Sequence, residues 1–169
     1  MARQISLREF QQGLAQRLRE AQAETEPTSR LGVQAGTSNW LLKLDDAGEM
    51  LPLPDISAVP LTRPWYLGLA NIRGVLASVV DFAAFTGGEV TARTPDCRLL
   101  LIAERFQSFS GLVISRMLGL KNVQSMQPVD EPAKRPWVAG AFRDEEGRVW
   151  HELDIGALVA HEDFLHVGA

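Results

Sequence analysis

The feature that most constrains this chain is a tight turn, Asn71-Ile72-Arg73-Gly74, set directly ahead of the apolar run Val75 to Phe82. Asn and Gly tolerate the left-handed backbone angles of a tight connection, and the arginine between them offers a rigid fan of donors to neighbouring loops. The run that follows is rich in Val and Leu and short enough to be a buried strand. Together they describe a stiff β corner with an arginine pinned at its surface. No catalytic pair stands in the segment or beside it, so it suits a binding protein better than an enzyme.

The hydrophobic period sets the rest of the architecture. Ser6-Leu7-Arg8-Glu9 reads as a capping box, with Ile5 and Phe10 placed as its hydrophobic staple. Leu7, Phe10, Leu14, Leu18 and Ala21 then recur at helical spacing as one narrow apolar stripe, and Pro27 closes the polar linker that follows. Residues 1–30 are thus expected to be an amphipathic helix and linker, packed on their own domain or docked on a partner. Residues 31–169 form the main domain, where the period drops from about 3.6 to about 2.

Trp40 to Leu44 reads as a strand, Asp45-Asp46-Ala47-Gly48 as its turn, and Glu49 to Leu53 as the answering strand. Prolines at 52, 54, 60 and 64 cut the next stretch into short extended pieces. Asp81 to Phe85 forms a single helical turn ended by Gly87-Gly88. Arg98–Ala103 and Phe109–Ser115 make a hairpin, with Met117 to Val123 continuing its edge and Gln124 to Pro136 a loop. A last hairpin joins Trp137–Phe142 to Arg148–Leu153, and Asp154 caps a final helix through Ile155, Leu158, Val159 and Phe164. Many short strands with few helices describe small β-barrels.

Composition narrows the function. The net charge of -4 argues against a nucleic-acid binder, which carries a clustered excess of Lys and Arg, and the basic residues here are scattered. Cys97 is the only cysteine, so no internal disulfide can form and a reducing compartment is expected. It is read as a small buried hydrophobe, with no histidine or helix N-terminus near it to make a thiolate. His151, His161 and His166 do not share a spacing that converges on a metal. The acidic groups Asp45-Asp46 and Asp144-Glu145-Glu146 fall at turn tips, where solvated carboxylates are the default. No nucleophile elbow or phosphate loop is present. Neither a signal core nor a run of the ~20 apolar residues needed to cross a bilayer is found, so a cytoplasmic protein without direct membrane insertion is expected.

The pattern Val59-Pro60, Pro64-Trp65-Tyr66-Leu67-Gly68-Leu69-Ala70-Asn71-Ile72-Arg73-Gly74 and Val79-Val80-Asp81-Phe82 resembles the CheW family of chemosensory adaptors. That family carries a Val-Pro, a Pro-aromatic, a Gly, then Asn-Leu-Arg-Gly and an apolar strand ending in Val-Asp-Leu. Gly111-Leu112-Val113-Ile114 and the closing stretch from Trp150 to Val159 are also similar to it. Ser78 departs from the family's frequent proline, and Gly48 to Ile56 lacks the customary Val-x-Glu-Ile. These departures, with the long N-terminal helix, look most like the pilus-linked, PilI-type branch that serves twitching motility.

The resemblance implies an all-β fold of two SH3-like five-stranded barrels sharing a core, flanked by an N-terminal and a C-terminal helix with a short helical turn between. It implies no catalytic residue, cofactor or metal, and two partners: the cytoplasmic tip of a methyl-accepting chemoreceptor and the regulatory domain of a histidine kinase. The adaptor would be cytoplasmic and recruited to membrane-bound receptor arrays. By the same resemblance, Asn71, Arg73 and Gly74 are the expected partner-binding residues, Arg73 standing at the junction between subdomains and holding the loops of the receptor groove. A small β-barrel module for a nucleic acid or ligand is the alternative.

Overall fold

A computed structural model describes residues 28–132 and 134–169. The expected N-terminal helix lies outside the described residues. Strands β1 (Ser29–Ala35), β2 (Ser38–Lys43), β8 (Arg116–Asn122), β9 (Gln127–Val129), β10 (Val138–Arg143) and β11 (Val149–Leu153) form one sheet in the order β8-β1-β2-β11-β10-β9. Strands β3 (Ala47–Pro52), β4 (Tyr66–Ile72), β5 (Val75–Asp81), β6 (Arg98–Ile102) and β7 (Ser110–Ile114) form a second in the order β3-β6-β7-β5-β4. Each curls into an SH3-like barrel, and the chain lays down the second barrel between two halves of the first.

The hairpins β4–β5, β6–β7 and β10–β11 form where the turn residues mark them. Two expected pairings do not form. The strand after Asp45-Asp46 does not answer β2; it crosses to the second sheet and pairs with β6. Asp46 is buried there and ion-paired with Arg105, and its carbonyl accepts from the Ala103 N–H at 3.0 Å, so this acid is not the solvated turn tip its neighbours suggest. Likewise β8 leaves the β6–β7 hairpin and pairs with β1 in the first sheet, with the Ser115 N–H reaching the Gln34 carbonyl at the crossing.

Two smaller differences follow from local geometry. The stretch read as a loop contains β9, which adds a sixth strand to the first sheet beside β10. The final helix is two short ones, α2 (Ile155–Ala160) and α3 (Glu162–Leu165), because His161 adopts extended angles and caps the second. The central helical turn is α1 (Phe82–Phe85), capped by Asp81, whose side chain accepts from the Ala84 N–H.

Alternation along the strands divides the apolar residues into three sets. Leu41, Met126 and Trp150 fill the first barrel, and Ala70, Val79, Leu99 and Val113 fill the second. The opposite faces of the same strands, with Trp40, Leu42, Val80, Leu100 and Leu112, meet between the barrels. Strands buried on both faces read as unbroken apolar runs, which is why Arg98 to Ala103 shows no polar alternation. Helices α1 to α3 add Phe82, Phe85, Ile155, Leu158 and Phe164 to this shared core. Trp40 and Phe82 pack edge-to-face with ring centroids 4.9 Å apart, and Phe85 and Phe164 at 5.6 Å. Burying each such side chain stabilises the fold by about 1.5–3 kcal/mol.

The second barrel closes where Ser57 bridges Leu69 through two backbone hydrogen bonds of 2.8 and 2.9 Å. Gly68 makes this approach possible. Its φ is +131°, and a Cβ there would lie 2.0 Å from the Ser57 carbonyl oxygen.

Candidate functional site

The hairpin of β4 and β5 pairs Ile72 with Val75, which leaves Arg73-Gly74 as a two-residue turn with φ of 51° and 87° at its two positions. Positive φ at both positions matches the twist of the flanking strands. Glycine adopts it without cost, and Asn71 stabilises it by accepting the Gly74 N–H at 2.8 Å. Asn71 and Gly74 therefore build the turn, and Arg73 is the residue it presents.

Arg73 donates to both carboxylate oxygens of Glu49 on β3, at 2.6 and 2.5 Å. This bidentate pair spans the mouth of the second barrel. The hydrogen bond from Arg73 first, and its charge as well, hold the Glu49 carboxyl below the usual carboxylate range; the same contact raises Arg73. The arginine side chain keeps 71% of its surface exposed, so its outer face remains available to another molecule.

Behind the pair lies a groove of about 580 Å³, floored by Ile72, Ala77 and Leu101 and walled by Val75 and Phe109. Phe109 is 68% exposed, Leu76 61% and Val75 49%. The parallel pairing of β5 with β7 brings Phe109 beside this hairpin: its carbonyl accepts the Ser78 N–H at 2.8 Å. Every residue lining the groove belongs to the second barrel or its loops. Arg73 thus stands at that barrel's open end and not at the junction between subdomains. Strand β5 accounts for the difference: Asp81 at its far end leads into the shared core, and a seven-residue strand separates the turn from that end by about 23 Å.

Asp81 is a structural carboxylate. Fully buried, it accepts from the backbone N–H and hydroxyl of Thr91 at 2.7 and 2.8 Å as well as capping α1. Asp144 has a comparable role at the β10–β11 turn, accepting from the Trp150 indole at 2.9 Å and from the backbone and guanidinium of Arg148. Partial desolvation pushes its carboxyl up, but these hydrogen bonds and the Arg148 charge outweigh that and hold it down at about 2.

The histidines are dispersed. His151 packs at a tilt against Trp40, His161 lies against Trp137 and accepts from the Asp163 N–H, and His166 contacts the Glu162 carbonyl. Among the described residues no group of three or more His, Cys, Asp or Glu is placed to hold a metal ion. Cys97 is buried, with its Sγ 3.1 Å from the Ala92 carbonyl. No helix of the described residues is long and apolar enough to cross a membrane.

Sequence reasoning missed Glu49 and Phe109. Glu49 is 24 residues from Arg73 and stands on the strand where the family's Val-x-Glu-Ile is lacking, so only tertiary structure joins the two. The sequence pattern puts Phe109 at the start of a strand; β7 begins one residue later and leaves the ring outside it.

Fold and site together define a two-barrel β protein whose distinctive surface is a groove framed by an ion pair. Residues 30–163 match the CheW-like domain, and the chain belongs to that family. Protein PilI of Pseudomonas aeruginosa is 28% identical over 159 residues, spanning 91% of this chain and 88% of that protein. The crystal structure of the scaffolding protein TtCheW from Thermoanaerobacter tengcongensis shares the fold, with a TM-score of 0.61 at 15% identity over 75% of this chain and 88% of that one.

Proposed function

We propose that this protein is a non-catalytic adaptor that couples a methyl-accepting chemoreceptor to a histidine kinase, in a pathway controlling type IV pilus twitching motility. The observation that carries the reading is the uncovered apolar groove behind Arg73 and Glu49, with Phe109 and Val75 exposed on its walls. Apolar surface gathered at one rim marks a protein-docking site. The groove takes apolar side chains of one partner, while the Arg73–Glu49 pair and the Asn71–Gly74 turn hold its rim in shape. Membership of the CheW-like family and similarity to PilI supply the choice of partners and pathway.

An adaptor of this kind works by coupling free energy. Each partner binds best when the other is already held in the shared geometry, and the coupling is reciprocal. The protein acts in the cytoplasm and reaches the membrane only through the receptor. The test is co-elution of the purified full chain with a kinase regulatory domain and a receptor tip, beside a polyanion column run at rising salt. A ternary complex with no retention on the polyanion is expected. Absence of any complex, together with steeply salt-dependent retention, would replace this reading with a nucleic-acid module.

A further inference from the structure

Among the described residues, the edge of the first sheet carries a second exposed apolar surface. There strand β8 pairs with β1 on one side only, and its pairing slips between Gly32 and Val33, where Gly32 faces Gly119 and Val33 faces Met117. This bulge resets the alternation, so Met117 stands opposite Val33 and Leu120 opposite Leu31. Directly opposed residues share a face. Val33 is buried in the shared core and Leu31 packs against it, so Met117 and Leu120 extend the core's apolar face beyond its edge. Both are more than half exposed, Met117 at 53% and Leu120 at 67%. Leu118, between them, turns the other way and packs with Trp150 inside the first barrel.

The chain enters the described residues at this edge. The described residues begin at Thr28, whose carbonyl accepts the Val123 N–H at 3.0 Å just past the end of β8. Residues 1–27 therefore start from the end of the uncovered edge. Their apolar residues Leu7, Phe10, Leu14, Leu18 and Ala21 recur at helical spacing. As a helix, residues 7–21 would run about 22 Å. The seven-residue β8 runs about 23 Å. The six residues between, 22–27, can span about 20 Å, enough to turn back along the strand.

We propose that residues 7–21 pack their apolar stripe on Met117 and Leu120 of the same chain, covering the free edge of β8. A partner that uses this edge must displace the segment, which makes the N-terminus an internal competitor. The proposal rests on the edge and on where the chain leaves it, and holds independently of the receptor–kinase reading.

The full chain tests it by thiol labelling, since the native Cys97 is buried. L120C is compared with L76C, because Leu76 has similar exposure among the described residues, at 61% against 67%. The segment should slow labelling of L120C at least ~10-fold relative to L76C, the protection expected of a docked but opening element. Leu14→Asp or Leu18→Asp should restore the rate, whereas Gln16→Asp, off the stripe, should not. Equal rates for L120C and L76C would overturn the proposal, as would protection indifferent to Leu14→Asp and Leu18→Asp. Protection that disappears on dilution would assign the cover to a second copy and would also overturn it.

Discussion

Val79 and Val80 on β5 are both buried, whereas Val75 and Leu76 at the other end of the same strand are both exposed. The residue types hardly differ, and the covering layers do. At the Asp81 end one face looks into the second barrel and the other meets the shared core with α1 against it. At the turn, neither layer reaches. Folding gains little from apolar residues left in water, so these exposed side chains around an ion-paired turn are where the proposed docking site is sought. One end of the strand holds the molecule together, and the other is the end the proposal assigns to a partner.

Substitutions at the sealed side should break the fold, and the largest effect falls on Trp150. Its ring is fully buried in the first barrel, and a Cβ at Gly32 would lie 3.0 Å from it. Trp150→Ala should cost about 3–5 kcal/mol by urea unfolding. Asp81→Ala should cost about 2–4 kcal/mol by the same method, since it removes the α1 cap and leaves the half-buried Thr91 N–H without its acceptor. It should also release the connection from Glu89 to Asp96, visible as faster amide exchange at Thr91.

Acid sharpens the comparison at a third place, the β10–β11 turn. The Asp144 carboxyl is held at about 2, below its ordinary 3.8. A depressed carboxylate contributes stability that is complete above the unfolded value and is lost as pH falls through the folded one. The Trp150 indole N–H resonance should therefore stay fixed from neutral pH down to about 4 and move only in stronger acid. Movement already near neutral pH would show that Asp144 does not hold that indole.

The smallest effect on stability belongs to the open end. Arg73→Ala should leave the urea midpoint almost unchanged, because the pair it breaks is exposed. The same change should weaken assembly of the signalling complex, so stability and binding separate at this residue and coincide at Trp150.

Much of this was legible from the chain. The hairpins β4–β5, β6–β7 and β10–β11 are specified by turn residues a few positions apart, and α1 by the Asp81 cap. The destinations of β3 and β8 were not, because Asp45-Asp46-Ala47-Gly48 has the chemistry of a hairpin turn. There the chain instead pairs β3 with β6, and Asp46 meets Arg105 from 59 residues away, contacts that no local pattern announces. The site was readable to the same extent. Asn71 and Gly74 sit in one local turn, while the partner of Arg73 and the groove behind it arise from all five strands of the second sheet brought together by the fold.

The most direct test of the central claim is to titrate the full chain, its Arg73→Ala form and its Phe109→Ser form with the kinase regulatory domain and, separately, with the receptor tip. Both variants should keep the wild-type unfolding midpoint. Each should lose at least ~10-fold in affinity for one and the same partner while holding the other, as expected when a buried aromatic anchor or its frame is removed from a single interface. Wild-type affinity of both variants for both partners would contradict the account, and would make the open end of the second barrel an exposed surface without a binding role.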